Sequence, residues 1–152
     1  MTDNMQDSGS LEWTNSGVEP LRGKRILGVF VGDMDICFRC EDGDQLYRVD
    51  GDCCSESWFA DLWDIQNLIG GTVISIREMP QSRYEIDEER CRQDYDYVCG
   101  IELYTEKGMA TIIYRNSSNG YYGGWISKTN SFIDTNLQKV KDNWKNTYKK
   151  EY

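Results

Sequence analysis

The sequence predicts an α+β fold, an antiparallel sheet of about six to seven strands with one central helix packed on a face and a C-terminal helix. Short segments rich in β-branched and aromatic residues, separated by turn residues, predict the strands. Apolar residues at helical spacing, once in the middle of the chain and once at its end, predict the helices. A length of 152 residues suits a single domain with a sizeable core.

The first predicted strands form an antiparallel meander. They are KRILGVFV (24–31), MDICFRC (34–40) and residues 44–50. Gly32-Asp33 lies between the first two strands, and Asp42-Gly43, a favoured hairpin turn, lies before the third. The order along the chain therefore predicts three neighbouring strands joined by two short hairpins.

The central helix is predicted over residues 56–69, ESWFADLWDIQNLI. The positions at helical spacing are Phe59, Leu62, Trp63, Gln66 and Ile69. Ser55 or Ser57 would cap the N-terminus of this helix, and Gly70-Gly71 would end it. We expect the apolar side of the helix to pack on the sheet.

The second half of the chain predicts four more strands and the final helix. The strands lie in TVISIREM (72–79), DYVCGIELYTEKG (96–108), MATIIYR (109–115) and YYGGWIS (121–127). The charged stretch 81–96 predicts a surface loop or short helix. The final helix is predicted from a stripe formed by Leu137, Val140, Trp144 and Tyr148.

Composition divides the chain into three parts. Residues 1–20 are polar and acidic and predict a disordered lead-in, residues 21–134 predict the α+β domain, and residues 135–152 predict an amphipathic, lysine-rich helix. No run of apolar residues is long enough for a membrane span, and the N-terminus lacks a signal-peptide pattern. We therefore expect a cytoplasmic protein whose cysteines stay reduced.

The charge of the chain bears on its partners. The chain has 26 acidic and 17 basic side chains and a net charge of −9. Such a body is repelled by phosphate backbones, so we expect no direct nucleic-acid binding, and we expect no membrane association. It can meet a basic protein surface, although simple solubility is the alternative explanation of the charge.

The cysteines predict packing more than chemistry. Cys37 and Cys40 have the spacing of a zinc half-site that Cys53 and Cys54 could complete, but residues three apart on a strand point to opposite faces. The chain has no histidine, which also removes the usual base for a thiol nucleophile. We expect Cys99 to be a core residue and the protein to hold no metal. The paired glycines lack phosphate-binding or dinucleotide spacing, so we expect no cofactor.

The segment GDCCSESWF (51–59) is one candidate site. If a helix begins here, its N-terminal N–H groups could bind an anion or a small ligand, with Asp52, Cys53, Cys54 and Ser55 as the candidate residues. The same position could favour a thiolate, and a thiol-dependent enzyme is a third possibility. The alternative is structural, with the cysteines packed and Asp52 and Ser55 capping backbone donors.

The segment NSSNGYYGGW (116–125) is the other candidate site. It is rich in glycine and aromatic residues at a predicted loop edge. Exposed tyrosine and tryptophan on a small rigid turn suit a protein partner, with Asn119, Tyr121, Tyr122 and Trp125 as the candidate contacts. The alternative is that Tyr122 and Trp125 pack on opposite faces of the last strand.

Two stretches together resemble a family of small phage and bacterial proteins that is known as a domain of unknown function. They are Gly51-Asp52-Cys53-Cys54 before an aromatic-rich segment, and Ser118-Asn119-Gly120-Tyr121-Tyr122 further along the chain. The resemblance covers about residues 21–128. The chain departs from the family pattern at Gly123-Gly124 and in the charged stretch 81–96. The resemblance implies a compact α+β domain in a phage or mobile-element setting and implies no activity.

These observations favour a non-enzymatic phage or mobile-element accessory protein that acts by binding. Its acidic surface suits a protein partner, and inhibition of a host or defence protein is the role that this setting suggests. The alternative is a small-ligand or anion-binding domain that uses a helix N-terminus at 52–57.

Overall fold

The fold is built almost entirely from β-strands. The computed structural model describes residues 17–51, 55–80, 82–84, 95–118, 124–134 and 136–148, with the backbone alone at 82–84 and 95. In chain order the strands of this part are β1 (Ile26–Val31), β2 (Asp35–Cys40), β3 (Gly43–Gly51), β4 (Glu56–Trp63), β5 (Val73–Glu78), β6 (Ser82–Tyr84), β7 (Tyr95–Thr105), β8 (Gly108–Ser118), β9 (Gly124–Thr129), β10 (Gln138–Val140) and β11 (Trp144–Lys145). The helical pieces among these residues are two short 3-10 helices, Glu19–Leu21 and Ile65–Asn67.

The strands form two antiparallel sheets that enclose one core. The first sheet has the order β10-β1-β2-β3-β9, and the second has the order β11-β4-β8-β7-β5, with β6 paired to β7. Buried side chains from both sheets, such as Val29 and Phe38 from the first and Phe59 and Ile112 from the second, belong to one hydrophobic cluster. The architecture is therefore a two-layer β-sandwich, and the predicted α+β fold with a single helix-covered sheet is wrong.

The predicted central helix is a strand followed by a turn. Residues 56–63 form β4, which pairs with β8 along its length, and the chain then turns through Asp64 at a φ of 61°. A β-bulge between Phe59 and Asp61 shifts the register of β4. Because of this extra residue, Phe59 and Leu62 both face the core although they are three apart. Bulged strands can therefore show the residue spacing of a helix.

The second half of the predicted pattern is not the buried side of the chain, since Gln66 is exposed and Ile69 is half-buried. Ile65 and Leu68 are fully buried, and residues three apart in a 3-10 helix lie on the same side. Trp63, which the helical interpretation placed on the apolar face, is instead 47% exposed at the end of β4. Of the predicted helical face, only Phe59 and Leu62 are therefore buried.

The predicted C-terminal helix is also wrong over the residues that the structure describes. Val140 lies on β10 and pairs with Val29 in the first sheet, whereas Trp144 lies on β11 and pairs with Leu62 in the second. The chain crosses between the sheets from Val140 to Trp144, and each residue packs against a different sheet. The spacing between Val140 and Trp144 thus comes from a crossover between the two sheets and not from a helical turn.

The strand predictions agree with the structure more closely. The predicted meander is β1 to β3, the strand at 72–79 is β5, and the last three predicted strands are β7 to β9. The hairpin before β3 is one residue earlier than expected, because Cys40 pairs with Gly43 across Glu41-Asp42. In the charged stretch 81–96 the structure describes β6 and the first residues of β7, while residues 81 and 85–94 lie outside the described part.

The folded part extends into the predicted lead-in. Val18 is fully buried, and Gly17 lies so close to the Ile126 carbonyl oxygen that a Cβ at this position would overlap it. Residues 1–16 lie outside the described part, so the prediction of disorder there stays a prediction. The chain packs from Gly17 onward.

Candidate functional site

The strand ends that flank two connections between the sheets lie side by side at one end of the sandwich. In the first sheet, β3 ends where Gly51 pairs with Gly124, the first residue of β9. In the second sheet, β4 begins where Glu56 pairs with Ser117, near the end of β8. One connection therefore runs from β3 to β4 and the other from β8 to β9. Strands β3 and β9 are neighbours in the first sheet, and β4 and β8 are neighbours in the second. We call the described residues 50–51, 55–57, 116–118 and 124–125 the crossover end.

The crossover end brings together the flanks of both predicted sites. The residues of those sites that lie outside the described part of the chain are Asp52, Cys53, Cys54, Asn119, Tyr121 and Tyr122. Ser55 is half-buried beside β4, and Trp125 is 42% exposed on β9, where it pairs with Asp50. Strand pairing thus places the flanks of the two segments of the sequence resemblance next to each other, which the sequence alone did not indicate.

The anion-binding interpretation of residues 52–57 has lost its physical basis. It depended on a helix that begins near Ser55, whose N-terminal N–H groups would point at the ligand. Residues 56–63 instead form β4, whose backbone groups are paired with β8. The predicted helix N-terminus is therefore absent from this position.

A buried polar cluster connects the two sheets at the crossover end. The Ser57 hydroxyl donates to the Asp50 carbonyl oxygen at 2.9 Å, and the Asn116 amide Nδ2 donates to Ser57 Oγ at 2.9 Å and to the Glu56 carbonyl oxygen at 3.4 Å. Ser57 is 2% exposed and Asn116 is fully buried. Gly124 packs directly on this pair, since a Cβ there would lie 2.6 Å from Ser57 Oγ.

Among the described residues, the amide oxygen of Asn116 is a buried acceptor without a hydrogen bond. Its orientation is fixed, because the Glu56 carbonyl can only accept and the Ser57 hydroxyl uses its proton on Asp50. Nδ2 must therefore face both groups, which turns Oδ1 away from them. In the part of the chain that the structure describes, Oδ1 has no hydrogen-bond partner. A buried polar atom without a hydrogen bond costs free energy. A donor that reached such an atom would therefore form a favourable hydrogen bond with it.

The opposite face of the second sheet carries an ion pair at the same end. Strand alternation turns Arg115 to the side opposite Asn116. There the Arg115 guanidinium pairs with the fully buried Asp96 and lies over the Trp58 ring, 5.6 Å from its centroid. A buried carboxylate paired with arginine and an aromatic ring is a rigid arrangement that fixes the ends of β4, β7 and β8.

The cysteines that the structure describes are buried and protonated at neutral pH. Cys37 and Cys40 lie on opposite faces of β2, which pairs with β3 without a bulge, so their thiols point apart. Cys99 packs in the core with Ile101 and Leu103, as predicted. Burial raises the pKa of Cys40 and of Cys99 to about 11. Over the described residues, no three metal-ligating side chains gather in one place.

Sequence reasoning missed the roles of Ser57 and Asn116. Ser57 was a candidate helix cap and Asn116 was expected at a loop edge between two strands, yet both lie inside strands and are buried. No local signal could have found them, because the run Asn-Ser-Ser-Asn-Gly at 116–120 is typical of a loop.

Within the described residues, no helix is long and apolar enough to cross a membrane.

The comparisons with known proteins give a family without an activity. Neither a curated protein nor a solved structure matches the chain. Residues 19–128 match the family described as domain of unknown function DUF7448. Since the match spans most of the chain and contains the crossover end, the protein belongs to the DUF7448 family.

Proposed function

We propose that the protein acts by binding another protein, without catalysis, and that the crossover end is its binding end. The observation that carries this proposal is the pairing of Gly51 with Gly124 and of Glu56 with Ser117, which brings the flanks of two connecting segments side by side. Binding residues are concentrated on connecting segments that a rigid scaffold positions. The buried pairs Asn116–Ser57 and Arg115–Asp96 provide that rigidity.

The composition of the second connecting segment supports the same role. NSSNGYYGGW (116–125) is rich in tyrosine, serine, glycine and asparagine, the residues that adaptable protein-binding surfaces favour. Trp125 at its end is 42% exposed, although a large aromatic side chain gains free energy by burial. A partner that covers Trp125 would recover this free energy.

The net charge of −9 indicates what kind of surface the partner presents. A basic surface would be attracted over several ångströms and would associate faster at low salt. The sequence resemblance to phage and bacterial proteins supports a phage or mobile-element setting. In that setting the partner would be a host or defence protein that the interaction inhibits.

Affinity capture from a bacterial lysate with matched variants tests the proposal. We expect the wild-type chain to enrich a protein over a charge-matched control protein, and Trp125→Ala to lose that enrichment. Trp63→Ala is the control, because Trp63 is 47% exposed on β4, away from the crossover end. Added salt should weaken capture. A binding role for this end would be contradicted if Trp125→Ala and a Tyr121→Ala/Tyr122→Ala double variant each captured as much partner as the wild-type chain.

The unpaired Asn116 oxygen favours a second candidate, a small-ligand site at the crossover end. An amide oxygen accepts hydrogen bonds, so its ligand would be a small donor such as an amide or an amine, not an anion. Thermal-shift screening of donor compounds, repeated with Asn116→Ala, tests this candidate. A compound that stabilises both forms equally would not be bound by this oxygen.

A further inference from the structure

A row of side chains crosses the outer face of the second sheet. Strand pairing places Trp63 of β4 opposite Thr111 of β8. Thr111 is also opposite Glu102 of β7, which in turn is opposite Arg77 of β5. The residues next to them along the strands, such as Ile101 before Glu102, belong to the core, so the row itself faces outward. We call Trp63, Thr111, Glu102 and Arg77 the outer row.

Glu102 is held by two neighbours and keeps one oxygen available. Its Oε1 accepts from Arg77 Nε at 2.7 Å and from the Tyr104 hydroxyl at 2.9 Å. No described residue donates to Oε2. Solvent reaches Oε2, because Asn116 Oδ1 is the only fully buried side-chain acceptor without a partner in the described part. Since Glu102 is 9% exposed and fixed by two hydrogen bonds, a ligand would meet an acceptor that needs no further ordering.

Arg77 provides donors beside this acceptor. Its side chain is 65% exposed, and it contacts Glu102 through Nε. Its two terminal amino groups donate to no other described residue. The guanidinium and the carboxylate compensate each other's charge, so the pair as a whole favours neither a cation nor an anion. It presents donors next to an acceptor, which suits neighbouring hydroxyl groups because each hydroxyl both donates and accepts.

Trp63 adds an apolar platform to the outer row. Its side chain is 47% exposed, and it lies two strand spacings from Glu102, a distance of about 10 Å. The smaller Thr111 lies between them. An indole ring gains free energy when an apolar surface covers it. A sugar ring has an apolar face of C–H groups and hydroxyl groups along its edge, so a short oligosaccharide combines both requirements.

We propose that the outer row binds a neutral saccharide. One sugar ring packs on Trp63, and the hydroxyl groups of the next ring donate to Glu102 Oε2 and accept from Arg77. The proposal goes beyond the proposed function, because the outer row and the crossover end are formed by different residues and the ligand is not a protein. It is also independent of the net charge of the chain, since the ligand is neutral.

Nuclear magnetic resonance titration of the full chain with a panel of sugars tests the proposal. The panel contains neutral linear oligosaccharides of glucose, N-acetylglucosamine, mannose and galactose. We expect at least one of them to give a saturable shift of the Trp63 indole resonance, with a dissociation constant on the order of 1 mM. Sorbitol at the same hydroxyl concentration has no ring to pack on Trp63 and should give no saturable shift. The resonance is assigned with Trp63→Phe, and the Trp125 indole resonance should not move.

Matched variants, followed through the Thr111 amide resonance, separate the two contacts. Trp63→Ala should weaken the sugar by at least about tenfold, whereas Trp63→Phe, which keeps a ring, should retain most of the affinity. Glu102→Gln keeps an acceptor for Arg77 and Tyr104 and replaces Oε2 with a donor, so it should weaken the sugar by about tenfold.

Two control variants make the same changes elsewhere. Glu41→Gln removes a carboxylate from the exposed turn between β2 and β3, and Trp125→Ala removes another exposed indole. Neither should change the affinity for the sugar.

Two results would overturn the proposal. One is the absence of a saturable Trp63 shift with every sugar of the panel, and loss of protein capture in Trp63→Ala would then assign the outer row to protein contact. The other is unchanged affinity in Glu102→Gln. The crossover end is tested separately, because Trp125→Ala should lose the captured protein and keep the sugar, while Trp63→Ala should do the reverse.

Discussion

Asp35 and Asp134 cap each other's backbone. Asp35 Oδ2 accepts the N–H groups of Ile133 and Asp134, and Asp134 Oδ2 accepts those of Met34 and Asp35. The two carboxylates thereby join the turn before β2 to the segment after β9. This reciprocal contact fixes a stretch of irregular backbone that has few sheet hydrogen bonds of its own.

Asp35→Ala should destabilise the protein by about 3–5 kcal/mol. Asp35 is fully buried and also pairs with Arg48, whose Nε lies 2.9 Å from Oδ1, so the substitution leaves a largely buried cation without its partner. Urea unfolding followed by tryptophan fluorescence measures the change. Asp44→Ala is the control, because the exposed Asp44–Arg39 pair should contribute about 0–1 kcal/mol. Equal losses in the two variants would contradict the structural role of Asp35.

Substitutions on β4 distinguish the bulged strand from the helix that the sequence predicts. Phe59→Ala should cost about 3–5 kcal/mol of unfolding free energy, because Phe59 is fully buried in the core. Trp63→Ala should change it by about 0.5 kcal/mol, since this side chain is 47% exposed. In a helix both residues would lie on the apolar face, and both substitutions would be costly. Denaturant unfolding of the two variants measures the difference.

Local sequence signals predicted most strands and misassigned the helices. Alternation and turn residues act over a few positions, so β1 to β3 and β7 to β9 could be found from the sequence. The bulge after Phe59 depends on how β4 pairs with β8, which is distant in the chain. A period of three or four residues cannot distinguish a helix from a bulged strand, and the division of the strands into two sheets is likewise a long-range property.

The candidate site shows the same division. The two segments of interest were visible in the sequence because of their unusual residues, and Trp125 is exposed in the structure. Their proximity depends on the pairing of Gly51 with Gly124, which no local pattern indicates. The burial of Asn116 depends on the same pairing. Sequence analysis therefore found the pieces of the site and missed the contacts that assemble it.

Gly124→Ala should destabilise the crossover end by about 1–3 kcal/mol. A Cβ at this position would lie 2.6 Å from Ser57 Oγ and 2.8 Å from Asn116 Nδ2, so the buried cluster would have to move. Ser57→Ala removes one of these atoms, and the double variant should therefore lose less stability than the two single losses added together. Chemical unfolding of the four proteins in this cycle measures the coupling. Strict additivity would mean that Gly124 does not press on Ser57.

High pH should weaken the fold through its buried thiols. Burial raises the pKa of Cys40 and of Cys99 from an ordinary value of 9.0 to about 11. Above pH 9 the unfolded chain loses these protons while the folded chain keeps them. The stability is therefore complete below pH 9 and decreases as the pH rises to about 11. Each thiol should contribute up to about 1.4 kcal/mol per pH unit over that interval.

Urea unfolding at a series of pH values measures this decrease, and Cys99→Ala is the matched variant. Cys99→Ala should be less stable at neutral pH, because it leaves a cavity in the core, but its stability should fall less steeply above pH 9. Burial also raises the pKa of Tyr47 and Tyr114, so both proteins should keep a residual slope at the highest pH. If stability fell equally steeply with pH in Cys99→Ala and in the wild type, burial would not be what keeps the Cys99 thiol protonated.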